Sequence, residues 1–119
     1  MTMLVKPLTF ILGAVLTVVG IAGFFLAPDG FLLGLFEVNA LHNVIHILSG
    51  VVCLWAASSG HSYSRMYLML FGVIYAVVTV LGFAMNGDVL GLFHVNDYDN
   101  YLHLAIAAVS LVVGFGSSK

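Results

Sequence analysis

Charge is what this chain lacks. Of its 119 residues only 7% are charged, three Lys or Arg and five Asp or Glu. A soluble domain carries roughly 25%, so this chain has too few charges to keep a folded surface in water. It has no basic cluster and a formal net charge of −2, which excludes a nucleic-acid partner. One cysteine, Cys53, forbids an intrachain disulfide and carries no message about redox compartment. No Gly-rich phosphate loop following a strand can be found, and Ser49, Ser110 and Cys53 have no base beside them at nucleophile spacing. The expectation is a non-enzymatic protein.

What is abundant is apolar: 62% of the residues. They fall in four blocks, Leu8–Ala27, Leu41–Ser58, Met66–Met85 and Tyr101–Gly116, each close to the roughly 20 residues that cross a hydrocarbon core of about 30 Å. The bilayer is the implied partner. The first block lacks a clear cleavage site and reads as a retained span rather than a signal peptide. Lys6, Arg65 and Lys119 lie in the N-terminus, the second connection and the C-terminus. The acids Asp29, Glu37, Asp88, Asp97 and Asp99 lie in the first and third connections or at the helix starts that follow them. The positive-inside rule then predicts a multi-pass inner-membrane protein with both termini cytoplasmic. Tyr63, Tyr67, Tyr98 and Tyr101 suit interfacial belts, and His61 and Arg65 a short cytoplasmic turn.

The polar residues repeat. Leu33, Gly34, Leu35, Phe36, Val38, Asn39, Asn43 and His46 recur as Leu90, Gly91, Leu92, Phe93, Val95, Asn96, Asn100 and His103, each 57 residues from its counterpart. With a two-residue shift, Gly13/Gly72, Val18/Val77, Val19/Val78, Gly23/Gly82 and Phe24/Phe83 coincide as well. Such self-similarity fixes architecture before any other signal. It predicts a single all-α membrane domain, a four-helix transmembrane bundle of two parallel, same-orientation hairpin repeats (about 8–58 and 66–116). Asn39 and Asn96 suit N-caps, with Asp97 an alternative cap in the second repeat. The small pairs Gly50/Ala107, Cys53/Ser110 and Ala57/Gly114 predict that the second and fourth helices cross tightly. Thr9, Gly13, Thr17 and Gly20 give the first helix its own small stripe.

A GLF-x-VN connection leading into L-H-N-x-x-H, then repeated with D-N-x-L-H, resembles a family of small four-span bacterial membrane proteins, domain of unknown function 4383. The resemblance covers Leu8 to Gly116 and rests on Gly34–Gly50 and Gly91–His103. It implies four spans with an extracytoplasmic polar cluster and brings no activity with it.

That cluster is where a function must sit. His42 and His46 are one helical turn apart, and Asp99 and His103 occupy the equivalent places in the second repeat. Ionisable groups at membrane depth face the bundle interior and mark candidate sites. Three imidazoles and a carboxylate suit one divalent metal such as zinc, with copper or iron the other candidates. Asn43 and Asn100 would then orient the ligands, while Glu37 and His94 cover them from above. A second reading is a haem or chlorophyll-type pigment on His46 and His103. The simplest is a hydrogen-bond network in which the histidines anchor the connections. It makes the protein a structural or accessory subunit, in a homo-oligomer or a larger membrane complex. A transporter or channel finds no broken helix or charged mid-span residue to support it.

Overall fold

The computed structural model describes residues 1–119 as four helices. They are α1 (Val5–Phe25), α2 (Ala40–Ser59), α3 (His61–Ala84) and α4 (Asp97–Gly116), all long and apolar enough to cross a membrane. Their outward faces carry Val, Leu, Ile and Phe, the surface a bilayer covers. Between α2 and α3 only Gly60 is non-helical, at φ +127°. His61 and Arg65 therefore belong to the first turns of α3, not to a separate connection.

The other two connections hold what an all-helical expectation missed: a pair of minimal β-hairpins. Strands β1 (Phe31–Leu32) and β2 (Phe36–Glu37) pair antiparallel, as do β3 (Asp88–Val89) and β4 (Phe93–His94). Leu33-Gly34-Leu35 and Leu90-Gly91-Leu92 make the turns, and the Phe of each GLF motif opens the second strand. Leu35 N–H donates to Leu32 O at 3.1 Å and Leu92 N–H to Val89 O at 2.9 Å. The central pairs Leu33-Gly34 and Leu90-Gly91 all have positive φ, between 56° and 72°. Positive φ at both central positions is the type I′ pattern, here within a three-residue loop because Leu32 pairs with Phe36 and Val89 with Phe93. Glycine fills its second position without cost, and leucine fills the first under strain. Leu32, Val38, Val89 and Val95 are buried and seat each hairpin on the bundle.

Each hairpin hands over to a helix through an asparagine. Asn39 Oδ1 accepts from His42 N–H at 3.0 Å and Asn96 Oδ1 from Asp99 N–H at 2.9 Å. In α4 the cap is reciprocal, because Asp99 Oδ2 accepts from Asn96 N–H at 3.1 Å. Asn96, not Asp97, is the cap.

Glycine sets the helix contacts, and it sets them within each repeat. A Cβ on Gly13 would lie 2.8 Å from the Leu54 side chain, and one on Gly72 would lie 2.9 Å from that of Leu111. Gly50 faces Thr17 and Gly13, Gly20 faces Ile47, and Gly114 faces Leu68 and Met69. So α1 packs on α2 and α3 on α4, while the backbones of α2 and α4 make almost no close approach. The expected tight crossing of the second and fourth helices is wrong. The small stripes are real, but their glycines Gly13, Gly20, Gly50, Gly72 and Gly114 each meet their own hairpin mate, since consecutive elements usually pack together. Cys53 Sγ–H accordingly donates to Thr9 O of α1 at 3.0 Å.

Two apolar clusters fill the interior, one of Val5, Cys53, Ala56, Tyr67, Leu68 and Val113 and one of Leu16, Tyr75, Ile106 and Ala107. Tyr67 is thus no belt residue. It is 5% exposed and its hydroxyl donates to Ser49 O at 2.9 Å, joining α3 to α2. The other three belt tyrosines are exposed.

Candidate metal centre

Between the hairpins and the apolar core, the wider gap separating α2 from α4 is filled by imidazoles. His42, His46 and His103 are 1–3% exposed, and one ring nitrogen from each falls within 4.8 Å of the other two. The ring centroids are 4.4 Å apart for His42–His46, 5.4 Å for His42–His103 and 5.8 Å for His46–His103, all edge-on. The spacing of four along α2 brings two of the rings together edge-on, and the third comes from the equivalent turn of α4.

These rings are unpartnered. Both nitrogens of His42, both of His46 and Nδ1 of His103 are buried with no hydrogen-bond partner. Buried polar atoms left in that state cost roughly 1–3 kcal/mol each. Of the anchoring network expected from sequence, with imidazoles donating to loop carbonyls or to Asn43 and Asn100, only an approach of His42 to the Glu37 backbone is present, and it falls short of ordinary hydrogen-bond geometry. Both asparagines look elsewhere: Asn43 Oδ1 presses on Gly23 of α1 and Asn100 Oδ1 on Gly82 of α3, where a Cβ would not fit. They too leave their Oδ1 atoms without a conventional donor, each lying against a glycine of the neighbouring helix.

Asp99, expected as the fourth ligand, is buried at the position equivalent to His42 but lies outside the group of three. Its Oδ2 is spent on the α4 cap. Glu37 and His94 meet each other: His94 Nδ1 and Glu37 Oε1 form a hydrogen bond between the two hairpins, an ion pair when the imidazole is protonated. The carboxylate beside it holds the His94 imidazole above its ordinary value of 6.5. Asn96 Nδ2–H adds a second tie by donating to Leu35 O at 2.7 Å.

Two residues of the site went unnoticed in the sequence. Phe93 stacks on the His42 ring at 5.1 Å and 26°, roofing the triad with the aromatic of the second GLF motif. Tyr75 lies 5.7 Å from the His103 ring with its hydroxyl buried and unpartnered. The one available hint was asymmetry, since the shift that aligns the first helices puts Leu16 opposite Tyr75. With rings this close, no slot remains between His46 and His103 for a flat macrocycle.

No curated protein and no solved structure matches the chain. The model of one family does, the domain of unknown function DUF4383, and it covers residues 6–116. With the four apolar helices, the paired motifs and a match over nearly the whole length, the chain belongs to that family.

Proposed function

We propose that this is a non-enzymatic membrane protein that binds one transition-metal ion through His42, His46 and His103. The observation that carries the reading is the set of five buried imidazole nitrogens with no partner. A structural histidine is held by hydrogen bonds, and these five nitrogens make none of ordinary geometry. A metal ion is the partner that takes one nitrogen from each of three rings at once. Zinc bound at about 2.0–2.1 Å would set tetrahedral ligand nitrogens roughly 3.4 Å apart. From a present spread of no more than 4.8 Å, small side-chain rotations reach that geometry. Three neutral imidazoles suit zinc first, then copper, nickel and iron. The fourth position stays with a small ligand such as water.

The site lies beneath two hairpins that the charge distribution assigns to the extracytoplasmic side, in two same-orientation repeats with both termini in the cytoplasm. Enclosure under Phe93 favours holding an ion over turning over a substrate, in keeping with an accessory subunit of a membrane complex.

The test is chelation. A ligand stabilises only the state that binds it, so a strong chelator should lower the unfolding temperature of the detergent-purified protein. His46→Gln and His103→Gln should start at the lower temperature and not respond. A chelator-insensitive wild type with well-tolerated Gln variants would return the histidines to a packing role. For the orientation, external thiol labelling should modify a cysteine at Gly30 or Gly87 and spare one at Ser59; the reverse pattern would put the triad on the cytoplasmic side.

A further inference from the structure

At the opposite end of the bundle from the triad, a groove of about 600 Å³ runs between α3 and the last turn of α4. Ser62, Arg65 and Lys119 stand at its mouth, and Met69, Val73 and Phe115 are among its apolar walls. The mouth holds two of the protein's three cations, and no carboxylate pairs with either. All five acids belong to the far end of the molecule.

Arg65 is aimed, not loose. Its Nε–H donates to Ser117 O at 3.3 Å and Ser117 Oγ at 3.2 Å, which fixes the plane of the guanidinium. The remaining four N–H donors make no bond within the protein, and such a fork matches phosphate oxygens bidentately. From Ser62 to Val73 the helix rises about 16 Å at 1.5 Å per residue, against about 15 Å for half of a hydrocarbon core. The groove therefore has the depth of one leaflet. At Val73 it meets a second, wholly apolar cavity of about 300 Å³ that continues along α3 to Leu81.

We propose that this groove is a binding site for one anionic phospholipid. The headgroup phosphate rests on Arg65 and Lys119, and an acyl chain lies along Met69, Val73 and Phe115. A half-buried Arg65 and an exposed Lys119 above an apolar channel of leaflet depth complement both halves of such a molecule, whereas a zwitterionic lipid would add a cation to a mouth that already has two. The orientation proposed above puts this mouth in the leaflet where anionic lipids concentrate, but the chemistry of the groove does not depend on it.

Native mass spectrometry of the detergent-purified protein with equimolar phosphatidylglycerol and phosphatidylcholine of matched chains tests it. One phosphatidylglycerol should be retained in preference. Lys119→Gln and Arg65→Gln should each lower that preference roughly fivefold, the weight of one cation near a membrane surface. Lys6→Gln, a cation away from the groove, should keep it. Val73→Trp, which plugs the channel, should reduce retention without removing a charge. If Arg65→Gln fails to fold for want of its Ser117 bonds, Lys119→Gln carries the test, because that side chain makes no hydrogen bond or ion pair within the protein. Equal retention of the two lipids by the wild type would overturn the proposal. Displacement of the phosphatidylglycerol by millimolar inorganic phosphate would overturn it too, by showing a site for the anion alone.

Discussion

Gly50→Ala is the smallest change that should reach the metal site without touching it. A methyl on Gly50 would sit 2.6 Å from the Thr17 amide nitrogen and 2.9 Å from the Gly13 carbonyl oxygen. Both are backbone atoms of α1 and cannot rotate away. Ordinary contact begins at 3.4 Å, so α1 and α2 must separate by roughly 0.8 Å, the difference between 3.4 and 2.6. Overpacking of this kind costs about 1–3 kcal/mol. His46 is one turn from Gly50 on the same helix and would move with it, beyond the roughly 0.5 Å that a bound constellation tolerates. Reversible unfolding in mixed detergent micelles should show the stability loss, and metal titration should show weaker binding. Leu48→Ala, at a position 60% exposed on the lipid-facing side, is the comparison and should do neither. A Gly50→Ala change below about 0.5 kcal/mol, with metal affinity intact, would refute the packing argument.

Three further outcomes follow from the geometry. Asp99→Ala should cost about 1 kcal/mol through loss of the reciprocal cap yet leave metal stoichiometry unchanged; loss of the metal would restore Asp99 as a ligand. Leu33→Asn and Leu90→Asn should each stabilise the protein by up to about 1 kcal/mol in thermal unfolding, since asparagine accepts the positive φ that leucine resists; destabilisation would mean that the exposed leucines are held by something outside the chain. The His94–Glu37 tie should depend on pH. Because the folded value of His94 is raised, its contribution is fully present below the unfolded value near 6.5 and is lost as pH rises through the folded one. An NMR titration should place His94 above 6.5, and Glu37→Gln should return it toward 6.5; an unmoved midpoint would contradict the pairing.

Much of this could be read from the residues because the membrane imposes strong rules. Four spans follow from block length, and Asn39 and Asn96 announce the helix starts by their place before each run. The histidines stood out as the expensive residues. What the sequence hid was relational. Gly50 and Gly114 mark close contacts, but a small residue does not say which neighbour it admits, and in both the hairpin mate takes the place rather than the equivalent helix. The GLF motif looked like a loop because leucine is a poor residue for a type I′ turn; only the backbone reveals the positive φ. Asp99 matches His42 in register, yet an acid three residues after an asparagine cap is drawn into the cap. Tyr67 suits the interface by residue type, while its neighbours bury it against Ser49.

The central claim is that three imidazoles, and no carboxylate or thiolate of this chain, hold one metal ion. X-ray absorption spectroscopy of the zinc-loaded protein, purified in detergent and freed of excess metal, measures that shell directly. The account predicts one zinc per chain with three imidazole nitrogens at about 2.0–2.1 Å, no sulfur scatterer from Cys53, and a loss of bound zinc in His103→Gln. Zinc no higher than in a protein-free detergent control, or a shell containing sulfur or fewer than three imidazoles, would contradict it.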